Sequence, residues 1–113
     1  MRLAKTLLLL TIVFANFAFL APLQEITIKT ASHCDHFDVC ETGKQRLEKQ
    51  LMLTSGIKQV NIDSKTMLIS VKYNPKRITP EKIRKVISQA GYDADDVKAD
   101  PKGVEQLDEC CKK

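Results

Sequence analysis

The chain has 113 residues, of which 18 are lysine or arginine and 14 are aspartate or glutamate, giving a formal net charge of +4. That length suggests one small domain. The net charge is mild and the basic residues are scattered, a pattern that does not indicate a nucleic-acid-binding protein. The sequence also lacks a glycine-rich phosphate loop and a recognisable Ser-His-Asp arrangement, so we expect no enzymatic activity.

The N-terminal segment has the features of an export signal. Arg2 and Lys5 precede an apolar run from Thr6 to Leu23, which is slightly short for a transmembrane helix and is interrupted by Asn16. We therefore predict a signal peptide over residues 1–21 and a periplasmic or secreted protein, with an uncleaved membrane anchor as the alternative. Export would place the four cysteines where disulfides persist.

The first predicted strand and the first predicted helix flank a loop. Ile26 and Ile28 alternate with polar residues, which predicts a strand over residues 25–30. A helix is predicted from about residue 43 to residue 54, where Thr42 and Gln45 have the spacing of a capping box.

The loop between them holds the densest group of potential metal ligands in the chain, namely Cys34, Cys40, His33 and His36. Thiolates are soft donors suited to Cu(I), Zn(II) and Hg(II), and imidazole suits zinc and copper. Five residues separate the two cysteines, and a flexible loop can fold back over that distance. His36 is close enough in sequence to add a third ligand, whereas His33 is a weaker candidate.

The second half of the chain repeats the pattern. Alternating apolar residues predict strands over residues 59–63 and 67–71, joined as a hairpin. The pair Thr79-Pro80 has the features of a helix start, and Gly91 ends the helical pattern. Residues 92–99 are predicted to hold a short fourth strand.

This order of elements predicts an α+β fold. Right-handed crossovers in a βαββαβ chain place two helices on one face of a four-stranded antiparallel sheet, which is the ferredoxin-like sandwich. We assign this domain to residues 22–99. The tail, residues 100–113, ends with Cys110 and Cys111, which can bind a soft metal, form a disulfide with each other, or pair with the loop cysteines.

Over about residues 26–97 the chain resembles the heavy-metal-associated (HMA) domains of copper chaperones and mercury-binding periplasmic proteins. The matching segments are Gly56-Ile57, Val71–Pro75, Thr79–Ile83 and Ala90–Ala94. The chain is also similar to small exported bacterial proteins that have one such domain and a paired-cysteine tail. The resemblance implies a ferredoxin-like fold, a bound soft metal ion and a protein that donates or accepts the ion.

The metal loop departs from the HMA pattern Met-x-Cys-x-x-Cys, in which two thiolates hold the ion. Counting back from the first helix places the family's first cysteine on Cys40 and its second on Gly43. Counting forward from the first strand places the first cysteine on Cys34 instead. The family's methionine is absent by either count.

We therefore predict an exported soft-metal carrier, buffer or scavenger, with Cu(I) favoured over Zn(II) and Hg(II). The predicted metal ligands are Cys34, Cys40, His36, Cys110 and Cys111. Two alternatives are a metal-independent binding module of the same fold, stapled by disulfides, and a thiol–disulfide exchange protein. We expect no nucleic-acid partner, and a membrane contact only if the N-terminal segment is uncleaved.

Overall fold

The computed structural model describes residues 22–32, 34 and 36–112, except for the side chain of Cys110. The predicted signal segment, residues 1–21, lies outside the described residues, as do His33 and Asp35. Within the described part of the chain, no helix is both long enough and apolar enough to cross a membrane.

The described residues form one sheet of three antiparallel strands in the order β1–β3–β2. The strands are β1 (Gln24–Lys29), β2 (Ile57–Asp63) and β3 (Leu68–Tyr73). Ile69 of β3 lies opposite Ile28 on one side and Ile62 on the other, and all three are buried. Because successive side chains of a strand point to opposite faces of the sheet, the polar residues that alternate with these isoleucines along each strand lie on the outer face. The predicted hairpin of β2 and β3 is confirmed.

Two helices complete the core: α1 (Lys44–Met52) and α2 (Pro80–Gln89). Leu47 and Leu51 of α1 are fully buried in the same cluster as Ile83 and Ile87 of α2. Each of these pairs is four residues apart and therefore lies on one face of its helix. The predicted start of α2 is confirmed, because the side-chain oxygen of Thr79 accepts a hydrogen bond from a backbone N–H of the first turn.

The predicted capping box at the start of α1 is wrong. The N-cap residue is Gly43, and no side chain caps the helix. Thr42 instead accepts hydrogen bonds from distant parts of the chain. Its hydroxyl oxygen accepts the backbone N–H of Asp108, and its carbonyl oxygen accepts the hydroxyl of Tyr92. A tertiary contact has therefore replaced the local one.

The segment predicted as a fourth strand, residues 92–99, forms an isolated bridge between Ala94 and Val97. Between these two lies Asp95, whose φ of +54° is incompatible with a strand. Its carboxylate accepts the backbone N–H of Lys29 at 2.9 Å, and its own N–H donates to the Lys29 carbonyl oxygen at 2.8 Å. The first of these bonds is the main reason that the pKa of Asp95 lies below its usual range. Asp95 therefore pairs with the end of β1 through two hydrogen bonds, in place of the expected fourth strand.

The tail packs against the domain and contains two short elements, α3 (Pro101–Glu105) and a 3-10 turn (Glu109–Cys111). Gly103 of α3 lies against Gly91, which ends α2 with a φ of +99°. A Cβ on Gly91 would lie 2.7 Å from the Gly103 carbonyl oxygen, and a Cβ on Gly103 would collide with the Gln89 carbonyl oxygen. Close backbone contact therefore requires glycine at both positions.

Candidate metal centre

Three cysteine sulfurs converge at one site. The Sγ atoms of Cys34, Cys40 and Cys111 all lie within 4.8 Å of one another. The Sγ atoms of Cys34 and Cys40 are 3.3 Å apart, which is longer than the roughly 2.05 Å of a disulfide bond. Among the side chains that the structure describes, these three make up the one group of His, Cys, Asp and Glu ligands assembled this closely.

Backbone hydrogen bonds fold the loop that carries the first two sulfurs. The N–H of Phe37 donates to the Cys34 carbonyl oxygen at 3.3 Å, and the N–H of Cys40 donates to the His36 carbonyl oxygen at 2.8 Å. The N–H of Gly43 then donates to the Cys40 carbonyl oxygen at 3.0 Å. These successive turns fold the loop back on itself and bring Cys34 and Cys40 side by side.

Phe37 anchors this loop to the core. Its side chain is 4% exposed and contacts Tyr92 edge-to-face, with the ring centroids 5.6 Å apart. The Tyr92 hydroxyl donates to the Thr42 carbonyl oxygen at 2.7 Å. Burial raises the pKa of Tyr92, and negative charge on Cys111 and Cys34 acts in the same direction. The hydroxyl therefore keeps its proton and remains a hydrogen-bond donor at neutral pH.

The tail supplies the third sulfur. Hydrogen bonds hold it against the start of α1: the backbone N–H of Asp108 donates to the hydroxyl of Thr42 at 2.8 Å, and the guanidinium of Arg46 donates to Gln106 Oε1 at 2.9 Å and to the Gln106 carbonyl oxygen at 3.4 Å. The N–H of Cys111 donates to the Asp108 carbonyl oxygen at 2.8 Å, which begins the final turn. This turn places the Cys111 side chain in the core, 5% exposed.

A sequence model of the heavy-metal-associated domain matches residues 37–93. The chain belongs to the heavy-metal-associated domain family. Family membership supports heavy-metal binding. Of the three converging cysteines, Cys40 lies inside the matched range, and Cys34 and Cys111 lie outside it.

Solved structures show the same HMA, ferredoxin-like fold. One is the CopZ metallochaperone, with a TM-score of 0.53 and 18% identity over 63% of this chain and 98% of that chain. Another is oxidized MerP from Ralstonia metallidurans CH34, with a TM-score of 0.55 and 18% identity over 65% of this chain and 94% of that chain. The CsoZ metallochaperone is 25% identical over 65% of this chain and 97% of that chain, with a TM-score of 0.52. No curated protein sequence matches significantly.

The HMA protein brings together some of the predicted ligands and not others. Cys34 and Cys40 lie side by side, and Cys111, which was also predicted as a ligand, is the third member of the group in place of His36. The imidazole of His36 is exposed and outside the sulfur group. His33 and the side chain of Cys110 lie outside the described residues. Sequence reasoning left the docking of the tail open as one alternative for Cys110 and Cys111, although Gly103 in the middle of a short helix is a signal of close backbone packing.

The structure leaves no room for a side chain at Gly43, where counting back from α1 places the family's second cysteine. The residue is buried at the N-cap of α1, and a Cβ at this position would collide with the Phe37 carbonyl oxygen and lie 3.3 Å from that of Cys40. The turns that bring Cys34 to Cys40 thus occupy the space that a side chain at position 43 needs. The Cys-x-x-Cys pair and the observed loop fold exclude each other.

We predict that Gly43→Ala lowers the free energy of unfolding by about 1–3 kcal/mol, because the loop backbone must shift to admit the methyl group. Urea unfolding of the reduced protein measures this, with Glu41→Ala as an exposed control in the same loop. Gly43→Cys should cost a similar amount even though it completes the family motif. Wild-type stability in Gly43→Ala would contradict the described loop.

Proposed function

We propose that this HMA protein binds one soft metal ion through Cys34, Cys40 and Cys111 and acts as an exported carrier or buffer for that ion. The observation that carries the proposal is the convergence of three sulfurs from two distant parts of the chain. Thiolates are the preferred ligands of Cu(I), and they bind Zn(II) and Hg(II) well. A protein that donates or accepts the ion is part of the proposal.

The sulfur spacing supports a three-thiolate site. Metal–sulfur bonds of about 2.3 Å separate the sulfurs by about 4.0 Å around a planar three-coordinate ion and by about 4.6 Å across a linear one. The three sulfurs lie within 4.8 Å of one another, with Cys34 and Cys40 at 3.3 Å. An ion can therefore be bound with side-chain adjustments of less than about 1 Å in that pair, well within the reach of rotamer changes.

The exposure of the three cysteines supports ligand exchange from one side. Cys34 and Cys111 are buried, at 7% and 5% exposed, whereas Cys40 is half-buried. Beside it, Val39 is 74% exposed. An incoming ion, or a thiol of an acceptor protein, therefore reaches the site at Cys40. A carrier needs such an accessible ligand, since transfer proceeds by exchange of one thiolate at a time.

An anaerobic Cu(I) titration of the reduced protein against a competing chelator tests the proposal. We expect one ion per chain, and Cys34→Ser or Cys40→Ser should weaken binding about a hundredfold, equivalent to about 2.8 kcal/mol. Cys111→Ser should weaken it about tenfold only, because the two remaining sulfurs, Cys34 and Cys40, already lie side by side in one loop, whereas either loop substitution leaves one loop sulfur and one tail sulfur. Cys110→Ser, which leaves all three sulfurs in place, is the matched control. Binding that survives both loop substitutions would refute the site.

The short distance between Cys34 and Cys40 also favours a second candidate, a metal-independent binding module stapled by a disulfide. Their sulfurs need to approach by about 1.3 Å to reach bonding distance. Counting thiols in the protein isolated without reductant separates the two functions. Reduced loop cysteines and co-purified metal support the carrier. A stable disulfide, with no metal bound after mild reduction, supports the module.

A further inference from the structure

The end of the molecule opposite the three sulfurs is built from two turns that pack together. One turn, residues 53–56, leads from α1 to β2, and the other, residues 74–79, leads from β3 to α2. The backbone N–H of Asn74 donates to the Gly56 carbonyl oxygen at 2.8 Å, and a Cβ on Gly56 would lie 2.9 Å from the Cβ of Arg77. We call these two turns, with the adjoining ends of the helices and strands, the distal end.

The distal end is basic, whereas the surroundings of the sulfurs are acidic. Residues 53–58 and 74–82 hold one acidic residue, Glu81, and four basic residues, namely Lys58, Lys76, Arg77 and Lys82. All four basic residues are exposed, and the ion pairs that the structure describes involve none of them. On the sulfur side, residues 36–43 and 93–109 hold nine acidic residues and two basic ones. The molecule therefore has a dipole whose positive end is the distal end.

Large apolar side chains are exposed at the same end. Leu53, directly after α1, is 76% exposed, Met52 beside it is 46% exposed, and Leu23, directly before β1, is 51% exposed. A single exposed leucine is ordinary in a soluble domain. Apolar side chains next to several cations are the combination that binds anionic lipid, because the apolar groups enter the headgroup layer while the cations attract the lipid phosphates. An acidic protein partner would account for the cations alone.

The path of the chain also brings the distal end close to a membrane. The apolar run that extends from Thr6 to Leu23 in the sequence leads directly into β1, which starts at Gln24. Gln24 lies opposite Tyr73, at the end of β3 that leads into the second distal turn. An apolar run that engages the membrane, as a signal or as an anchor, therefore holds the distal end next to the lipid.

We infer that the distal end docks on an anionic phospholipid surface, with the three-sulfur site directed away from it. The inference goes beyond the proposed function, and it is the same for any ion that the sulfurs bind. It also goes beyond the expectation from the sequence that only an uncleaved N-terminal segment contacts a membrane. Because the same surface repels the acidic side, the dipole orients the molecule, and Cys40 stays open to an incoming ion or to an acceptor protein.

Binding of the full-length protein to phospholipid vesicles tests this inference. Flotation compares vesicles that contain phosphatidylglycerol with vesicles of pure phosphatidylcholine, and the ratio of the two partition coefficients measures the charged contact. The apolar N-terminal run enters both kinds of vesicle, so its own contribution largely cancels in this ratio. We expect Lys76→Glu combined with Arg77→Glu to lower the ratio about tenfold or more, and high salt to lower it as well. Leu53→Ser should weaken binding to the anionic vesicles about fivefold.

The matched control is Lys65→Glu combined with Lys102→Glu, which makes the same change of charge at two exposed positions on the sulfur side. This control should keep the wild-type ratio to within about twofold. Amide hydrogen exchange locates the contact, and we expect slower exchange over residues 53–58 and 74–79 on anionic vesicles.

Three results would overturn the inference: equal binding of the wild type to the two kinds of vesicle, equal ratios in the two double variants, or slower exchange over residues 93–109 instead. The Cu(I) titration of the same variants keeps this test apart from the proposed function. Both double variants should bind Cu(I) as the wild type does, because none of the exchanged side chains is a sulfur ligand. Lost vesicle binding with intact Cu(I) binding in the distal variant supports the docking surface and shows that the variant is folded. Lost Cu(I) binding in the wild type refutes the metal site and leaves the vesicle result valid.

Discussion

Replacing Phe37 with alanine is expected to lower the free energy of unfolding by about 3–5 kcal/mol, since the buried ring leaves a cavity that its surroundings fill only in part. The ring is 4% exposed and packs against Tyr92 beneath the loop that carries Cys34 and Cys40. The loss is large for a small domain, whose total stability is of the order of 5–15 kcal/mol. Urea unfolding of the reduced, metal-free protein measures the change.

The same loop offers a matched control at Val39, which is 74% exposed. Val39→Ala should change the stability by no more than about 0.5 kcal/mol. Phe37→Leu keeps an apolar side chain in place and should recover part of the lost free energy of unfolding. It should also bind Cu(I) more tightly than Phe37→Ala does. Equal stabilities of Phe37→Ala and Val39→Ala would show that Phe37 does not anchor the loop.

The second large effect is expected at Gly103, where alanine should both destabilise the protein and remove the contribution of Cys111 to metal binding. Helix propensity alone predicts the opposite sign, because alanine in a helix is favoured over glycine by about 1 kcal/mol. The added methyl group would collide with the Gln89 carbonyl oxygen. We therefore expect a net loss of about 1–3 kcal/mol and undocking of the tail.

The Cu(I) affinity shows whether Gly103→Ala acts by undocking the tail and so removing Cys111 from the site. Gly103→Ala should weaken Cu(I) binding about tenfold, as Cys111→Ser does. Added to Cys111→Ser, it should cause little further loss, since both changes act through one sulfur. Lys102→Ala, at an exposed position of the same short helix, is the control. A more stable Gly103→Ala protein with unchanged metal affinity would contradict the described packing.

Local rules were enough to predict the regular elements of the fold. The alternation of apolar residues located β1 and the hairpin because one face of each strand is buried. Thr79 and Pro80 marked the start of α2, since both act on the backbone of the first helical turn. The signals at these places need no knowledge of the rest of the chain.

The wrong predictions fall where contacts between residues distant in sequence replace local ones. Thr42 bonds to Asp108, which is 66 positions away, and the carboxylate of Asp95 bonds to Lys29 at the same separation. No local pattern reveals either bond, so a capping box and a fourth strand were predicted in their place. Which cysteines come together depends on the tail, because Cys111 reaches the loop cysteines only when the tail docks. The docked tail contacts the domain closely at Gly91 and Gly103.

The proposed binding of one ion by Cys40 and Cys111 has a consequence for the stability of the protein. A bound ion would join the loop before α1 to the end of the tail and close the intervening chain into a ring. Opening that ring requires breaking metal–sulfur bonds, so the loaded protein is stabilised against unfolding.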